Sequence, residues 1–302
     1  MGAFHCPIGA AYYEDDACID CGMCLATTSA QKVEASRKIR EYLKAHAPAT
    51  TTLSKIAVCG KGGSGKTTVT TLLARALAAS GRSVIVLDAD ESNPGLGRLL
   101  GVDGQPKPLR ALFKIPQPDG TIKNDPLMER EQLSLDDLPP EFISNGRGLR
   151  FLVAGKIEDP FQGCGCSVAA AAREVVEKLV LNDGELMLID MEAGIESFGR
   201  GVERLADTVL AVVEPAYESI VLAEKIVFMA RGMGIGRTGA ILNKLSSPEL
   251  AARTLAELEK RAVKVYGSVN YHVELAEAGF EGSPVADGES IAEASKLIEA
   301  LL

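Results

Sequence analysis

The stretch that decides the fold is Gly60-Lys-Gly-Gly-Ser-Gly-Lys-Thr-Thr68. It follows a short run rich in β-branched and small residues, Lys55-Ile-Ala-Val-Cys59, which is typical of a buried parallel strand. It precedes a helix-like stretch, residues 67–79. A strand, a glycine-rich turn and a helix in this order predict a phosphate-binding loop at the N-terminus of a helix.

Two side chains of this loop carry the expected chemistry. Lys66 follows the last glycine, where an ammonium group reaches the β- and γ-phosphates, and the Thr67 hydroxyl would complete the coordination sphere of Mg²⁺. The glycines let the backbone curl, so that its N–H groups face the phosphates. The residues expected to contact the nucleotide are Gly60, Gly62, Gly63, Ser64, Gly65, Lys66, Thr67 and Thr68.

Apolar runs alternate with helix-like stretches along the rest of the chain. This alternation predicts an α/β fold, in which a doubly wound, mostly parallel sheet of about seven strands is covered by helices on both faces, as in P-loop NTPases. Ligands of such sheets bind at the carboxyl ends of the strands. The predicted strands after the first are residues 83–87, 149–154, 186–191, 208–214, 238–243 and 263–269.

Three of these strands end in polar side chains. Asp88 and Asp90 follow one strand, and Asp190 ends another in the Walker B arrangement, which holds Mg²⁺ through its water shell. Asn243 ends a later strand, and Ser246 stands where the guanine-specific N-K-x-D motif carries Asp, so adenine is favoured. The sequence therefore predicts a site for ATP and Mg²⁺ at this edge of the sheet.

The composition excludes several classes of function. The chain has 302 residues, of which 46% are hydrophobic, and a formal net charge of −9, so it can fill a core but has no basic surface for nucleic acid. No apolar stretch reaches the roughly 18 residues that a membrane span needs, and the N-terminus lacks the order of a signal peptide. We therefore expect a cytoplasmic protein with no nucleic-acid or membrane partner.

Seven cysteines in such a protein indicate metal or redox chemistry rather than disulfides. Cys18, Cys21 and Cys24 have the C-x₂-C-x₂-C spacing of a bacterial ferredoxin loop, although Thr28 stands where the fourth cysteine is usual. Cys6, followed by proline, supplies a fourth thiolate upstream, so these four could hold a [4Fe–4S] cluster. A zinc site and plain reduced thiols are the alternatives.

A second cysteine group is the C-x-C pair Cys164 and Cys166, ahead of an alanine-rich helix. One protomer offers two sulfurs, and a symmetric dimer would offer four at its axis. Four thiolates suit tetrahedral Zn²⁺ or Fe, or square-planar Ni²⁺. We therefore predict a metal site at this pair, with two small buried thiols as the alternative, and expect Cys59 to be a core residue of the central strand.

The chain divides into three predicted parts. Residues 1–28 form the cysteine-rich module, residues 29–54 a surface helix and a linker, and residues 55–302 the nucleotide-binding domain. Within this domain the polar residues 103–140 are expected to form an insertion of loops and short helices.

The early lysine of the loop, Lys61, is not required by the minimal phosphate-binding pattern. With this lysine the sequence resembles the deviant Walker A family of dimerising ATPases, which includes the nitrogenase iron protein, MinD and ParA. The resemblance implies a homodimer that closes on ATP, with Lys61 reaching the partner's nucleotide and Asp90 orienting the attacking water and the metal. It also implies that Asn243 hydrogen-bonds the purine.

A longer string, Asp190-Met-Glu-Ala-Gly-Ile-Glu-Ser-Phe-Gly-Arg-Gly201, resembles the nickel-insertion ATPases of carbon monoxide dehydrogenase, the CooC family. In that family a C-x-C motif binds metal between subunits, which implies Ni²⁺ or Zn²⁺ at Cys164 and Cys166. The partner implied is carbon monoxide dehydrogenase or a similar Ni/Fe–S enzyme, and the catalytic residues implied are Lys61, Lys66 and Asp90. The N-terminal cysteines, which the compact nickel ATPases lack, favour the alternative of an ATP-dependent reductase like the nitrogenase iron protein.

Overall fold

The structure, a computed structural model, describes residues 25–45, 53–113, 115–116, 122–156, 166–195, 198 and 201–302. The helices in these residues are α1 (Ser29–Ala45), α2 (Lys66–Ala79), α3 (Leu96–Leu100), α4 (Cys166–Lys178), α5 (Tyr217–Gly232), α6 (Pro248–Lys260), α7 (Val273–Glu281) and α8 (Glu289–Leu301). The strands are β1 (Lys55–Gly60), β2 (Ser83–Asp88), β3 (Ile115–Pro116), β4 (Ile122–Lys123), β5 (Ser144–Gly146), β6 (Leu149–Val153), β7 (Glu185–Asp190), β8 (Thr208–Val213), β9 (Arg237–Leu245) and β10 (Val265–Asn270).

The main sheet has eight strands in the order β10-β9-β8-β1-β7-β2-β6-β5. Its neighbouring strands are parallel except for β5 and β6, so the predicted mostly parallel α/β sheet is confirmed, and its seven predicted strands all form. The eighth strand, β5, was not predicted because its residues, Ser-Asn-Gly, are polar and few. It turns back onto β6 through Arg147 and Gly148, which have φ values of 51° and 76°, as a tight hairpin requires.

Two hydrophobic layers cover the sheet, one on each face. The first contains side chains of α2, α3 and α8, among them Leu72, Leu100 and Leu297. The second contains side chains of α4 and α5, among them Val175 and Ile226. Because helices cover both faces, the central strands are buried along almost their whole length, which explains why their sequences are continuous apolar runs.

The insertion forms short 3₁₀ turns, as predicted, with a small antiparallel ribbon of β3 and β4. Leu109, Leu133 and Leu135 from this region are buried in the layer that contains α4 and α5. Ahead of the domain, α1 forms where the surface helix was predicted and buries Ala35 and Ile39. Among the described helices, none is both long enough and apolar enough to cross a bilayer.

Candidate functional site

The phosphate-binding loop joins β1 to α2 through residues that only glycine suits. Gly63 and Gly65 have φ values of 81° and 93°, which lie in the left-handed region. A Cβ on Gly65 would also lie 2.2 Å from Nδ2 of Asn243. Because α2 begins at the next residue, the N–H groups of its first turn have no acceptor within the helix, which is the arrangement expected of an anion-binding loop.

Lys66 places its charge against this loop. It is the first residue of α2, its residue surface is only 6% exposed, and its ammonium lies 3.4 Å from the carbonyl oxygen of Lys61. Ser64 is buried as well, and its hydroxyl has no hydrogen-bond partner within the described part of the chain. The Lys66 ammonium and the Ser64 hydroxyl can both donate hydrogen bonds to phosphate oxygens bound in this loop.

Thr67 and Asp190 form the contact expected beside a metal ion. Thr67 Oγ1 donates to Asp190 Oδ2 over 2.8 Å, and Thr70 Oγ1 donates to Asp190 Oδ1 over 3.3 Å. Asp190 stands at the end of β7, the neighbour of β1 in the sheet, and is 1% exposed. Hydroxyl and carboxylate oxygens are the hard ligands that Mg²⁺ prefers, directly or through its waters, so the residues present fit Mg²⁺ with a nucleotide.

Two carboxyl groups of the site have raised pKa values. Burial raises the pKa of Asp190 to about 7, and the Asp88 carboxylate adds to that increase, while Thr67 and Lys66 oppose it. Burial also raises the pKa of Asp88 to about 6, against the opposing effect of Lys156. A cation bound here would stabilise the ionised form of Asp190.

The loops that follow β7 and β2 both lie against the phosphate-binding loop. The backbone N–H of Gly194, on the loop after β7, donates to the carbonyl oxygen of Gly60 over 3.1 Å. After β2, Asp90 is 6% exposed and its Oδ1 accepts from the backbone N–H and the hydroxyl of Ser92, over 2.9 and 2.6 Å. Asp90 is therefore close-packed, in a turn that its own carboxylate stabilises.

Lys156, which follows β6, is a site residue that sequence reasoning missed. Its ammonium lies 2.7 Å from Oδ2 of Asp88 and also donates to the backbone oxygens of Asp90 and Asn93. The signal available was its place just beyond the carboxyl end of a predicted strand, where Asp88 and Asp190 also stand. A single lysine in that place has no motif around it, so the sequence did not single it out.

Glu214 is the second residue that was missed. Its Oε1 lies 3.2 Å from the ammonium of Lys61, and its Oε2 lies 3.6 Å from that of Lys244, which in turn donates to the carbonyl oxygen of Gly63. Lys61, predicted to reach a partner's nucleotide, thus pairs with a carboxylate of its own chain in this structure. Glu214 follows β8, the strand on the other side of β1 from Asp190.

Asn243 is 3% exposed and donates from Nδ2 to the carbonyl oxygen of Ser64, over 2.9 Å. This bond braces the phosphate-binding loop from β9. The same side chain also lines a small pocket with Thr68, Tyr271 and His272. The role of Asn243 toward the base stays a prediction, and the structure adds its role as a brace.

The cysteine predictions fall largely outside the described residues. Cys6, Cys18, Cys21, Cys24 and Cys164 lie outside them, and of Cys166 only the backbone is described, as the first residue of α4. Cys59 is 1% exposed in β1, and burial raises the pKa of its thiol, which agrees with its predicted place in the core. Elsewhere in the described part of the chain no three His, Cys, Asp or Glu side chains gather into a metal site.

A glycine-rich loop at a helix N-terminus, a lysine inside it and a strand-end aspartate beside its threonine define a P-loop nucleotide-binding protein. Residues 55–285 match the family described as the CobQ/CobB/MinD/ParA nucleotide binding domain, and the chain belongs to this family. Its members are nucleotide-binding ATPases, so the protein is an ATPase.

Several known proteins are similar to this chain. An uncharacterized ATP-binding protein of Methanocaldococcus jannaschii is 42% identical over 60% of this chain and 74% of its own length. The carbon monoxide dehydrogenase accessory protein CooC of Rhodospirillum rubrum is 36% identical over 64% of this chain and 75% of its own length. Among solved structures, the septum site-determining protein MinD of Pyrococcus horikoshii with Mg-ADP has a TM-score of 0.62 and 20% identity, over 83% of this chain and 96% of its own. That last likeness supports the fold.

Proposed function

We propose that this ATPase is a metallochaperone, which dimerises on ATP and inserts nickel into the active cluster of carbon monoxide dehydrogenase. The observation that carries the proposal is the similarity to the accessory protein CooC, 36% identical over 206 residues, in a chain that also has the Cys164-Gly-Cys166 pair. A similar protein of Methanocaldococcus jannaschii, the iron-sulfur cluster carrier protein, is 31% identical over 62% of this chain and 58% of its own length. Its name supports a role in metal delivery.

In this proposal, ATP binding and hydrolysis at the nucleotide site supply the free energy for metal delivery. The loop amides and Lys66 would hold the triphosphate, while Thr67 and Asp190 would hold Mg²⁺, which neutralises charge on the phosphates. Asp90 would orient the attacking water. Lys61, which pairs with Glu214 in this structure, would exchange that carboxylate for the partner's nucleotide when the dimer closes.

The cargo site would form only in the closed dimer. In this proposal each chain would contribute Cys164 and Cys166 at the symmetry axis, so that four sulfurs would coordinate Ni²⁺, with Zn²⁺ as a competing ion. Hydrolysis would separate the cysteines and release the ion to the target enzyme. Release requires that the closed dimer bind the metal more tightly than the open one, because a site equally tight in both would deliver nothing.

The test replaces each cysteine of the C-x-C pair and compares these variants with replacement of a core cysteine. Wild-type protein, Cys164→Ala, Cys166→Ala and the control Cys59→Ala are incubated anaerobically with nickel and a non-hydrolysable ATP analogue. Light scattering and elemental analysis then give the mass and the nickel content. We expect one nickel per dimer for the wild type and the control, none for the pair variants, and unchanged nucleotide affinity in all four. Equal nickel content in every variant would exclude the C-x-C site.

The second candidate is an ATP-dependent Fe–S reductase that donates electrons to a metalloenzyme. The observation that favours it is the spacing of Cys18, Cys21 and Cys24, with Cys6 as a fourth thiolate. Anaerobic protein would then show the absorption of a [4Fe–4S] cluster and would reduce an acceptor during ATP turnover. Nickel transfer that survives replacement of the three spaced cysteines by Ser would favour the chaperone.

A further inference from the structure

The side chain of Lys156 bonds to Asp88, at the end of β2, and to two backbone oxygens of the loop between β2 and α3. The ammonium of Lys156 lies 2.7 Å from the carboxylate of Asp88, lies 2.5 Å from the carbonyl oxygen of Asn93 and donates to the carbonyl oxygen of Asp90. The Lys156 side chain is 16% exposed and that of Asp88 is 2% exposed. Three charge-assisted bonds in so buried a place restrict the loop more than an exposed ion pair would.

The same loop also touches the nucleotide site. Nδ2 of Asn93 donates to the Thr67 hydroxyl over 3.1 Å, and that hydroxyl donates to Asp190 over 2.8 Å. The carbonyl oxygen of Asn93 is bound by Lys156 while its amide is bound to Thr67. A continuous set of bonds therefore runs from Lys156 through Asn93 to the oxygens that fit Mg²⁺.

A simpler interpretation is that Lys156 serves only to neutralise the buried carboxylate of Asp88. That role would require only the contact with Asp88. The two bonds to backbone oxygens of Asp90 and Asn93 do nothing for the carboxylate, and they hold both ends of the turn that carries Asp90. Lys156 reaches the loop from β6, a separate strand, so its hold does not depend on the local backbone of the turn.

We propose that Lys156 is a positioning residue for ATP hydrolysis, which holds the turn from Asp88 to Asn93 so that Asp90 keeps its place in the turn and Asn93 keeps its bond to Thr67. The proposal rests on the catalytic role proposed for Asp90. Lys156 makes none of its bonds with the phosphate-binding loop, so its loss acts on the hydrolysis step and leaves nucleotide binding nearly intact.

The test compares Lys156→Met, Lys156→Arg and the matched control Lys178→Met in the full-length protein without added nickel. Lys178 also donates to two backbone oxygens, those of Met128 and Arg130 at 2.7 and 2.9 Å, but in the insertion. Loss of the Lys156 bonds should lower kcat about 10- to 100-fold, the range expected for hydrogen bonds to a charged group. The Kd for ATP should change less than about threefold, since the loop contacts stay. Arg should restore part of kcat, and Lys178→Met should match the wild type.

Hydrogen exchange in the nucleotide-free protein gives a readout that is independent of turnover. The N–H groups of Ser92 and Gly95 bond to Asp90 Oδ1 and Asn93 Oδ1, at 2.9 and 3.0 Å, and should exchange faster in Lys156→Met alone. If that variant does not fold because Asp88 is left unpaired, the double variant Asp88→Asn, Lys156→Met removes both charges and takes its place.

Three outcomes would overturn the proposal. The first is a kcat of Lys156→Met within twofold of the wild type. The second is a fall in the ATP affinity of Lys156→Met that accounts for its whole loss of kcat/KM. The third is an equal loss of kcat in Lys178→Met. None of them depends on nickel, so failure here is distinct from failure of the chaperone proposal.

Discussion

The raised pKa of Asp190 makes a quantitative prediction about stability without nucleotide. A carboxyl with a pKa of about 7 in the folded protein and about 3.9 in the unfolded chain takes up a proton on folding at pH values between the two. The folded state then binds more protons than the unfolded state, so this stabilisation is present at low pH and is lost as the pH rises through about 7. Linkage gives a loss of about 2 kcal/mol between about pH 5.5 and about pH 8.

The assay is urea unfolding of the magnesium-free protein at both pH values, for the wild type and for Asp190→Asn. The variant cannot ionise at this position, so the wild type should lose about 2 kcal/mol more than the variant between the two pH values. Asp136→Asn, which removes an exposed carboxylate from the insertion, controls for the change in net charge and should match the wild type.

A second measurement checks the physical cause. Saturating Mg²⁺ with ADP should reduce or reverse the difference between wild type and Asp190→Asn at about pH 8, because a bound cation favours the ionised carboxylate. The same pH dependence in the wild type and in Asp190→Asn, without nucleotide, would refute the assignment of the raised pKa to this residue.

Three further predictions concern the phosphate-binding loop and its braces. Gly65→Ala places a Cβ 2.2 Å from Nδ2 of Asn243 at a φ of 93°, so calorimetry should show ATP affinity lowered more than about tenfold; an unchanged Kd would contradict the strained cradle. Glu214→Gln removes the carboxylate that competes with the partner's nucleotide for Lys61, so ATP should bind the dimer about two- to fivefold more tightly, and weaker binding would show that Glu214 organises the loop instead. Asn243→Ala removes the bond to the carbonyl oxygen of Ser64, so the affinities for ATP and GTP should fall together, by about two- to tenfold; a loss for ATP alone would show that Asn243 reads the purine.

The apolar runs and the glycine-rich motif of the sequence were sufficient to predict the class of fold and the phosphate-binding loop. Seven parallel strands form where apolar runs predicted them, and α2 begins at Lys66, directly after the left-handed Gly65. These features depend on neighbouring residues, because side-chain periodicity and glycine φ values are local properties. The edge strand β5 was not predicted because its pairing with β6 depends on a turn and not on hydrophobicity.

The partners of the charged residues were decided only by the tertiary structure. Lys156 meets Asp88 across 68 positions of sequence, and Lys61 meets Glu214 across 153. Each pair forms because the strands that carry the two residues are neighbours in the sheet, β6 with β2 and β8 with β1. Strand order is set by how the helices pack on both faces of the sheet, and no spacing within the sequence contains it.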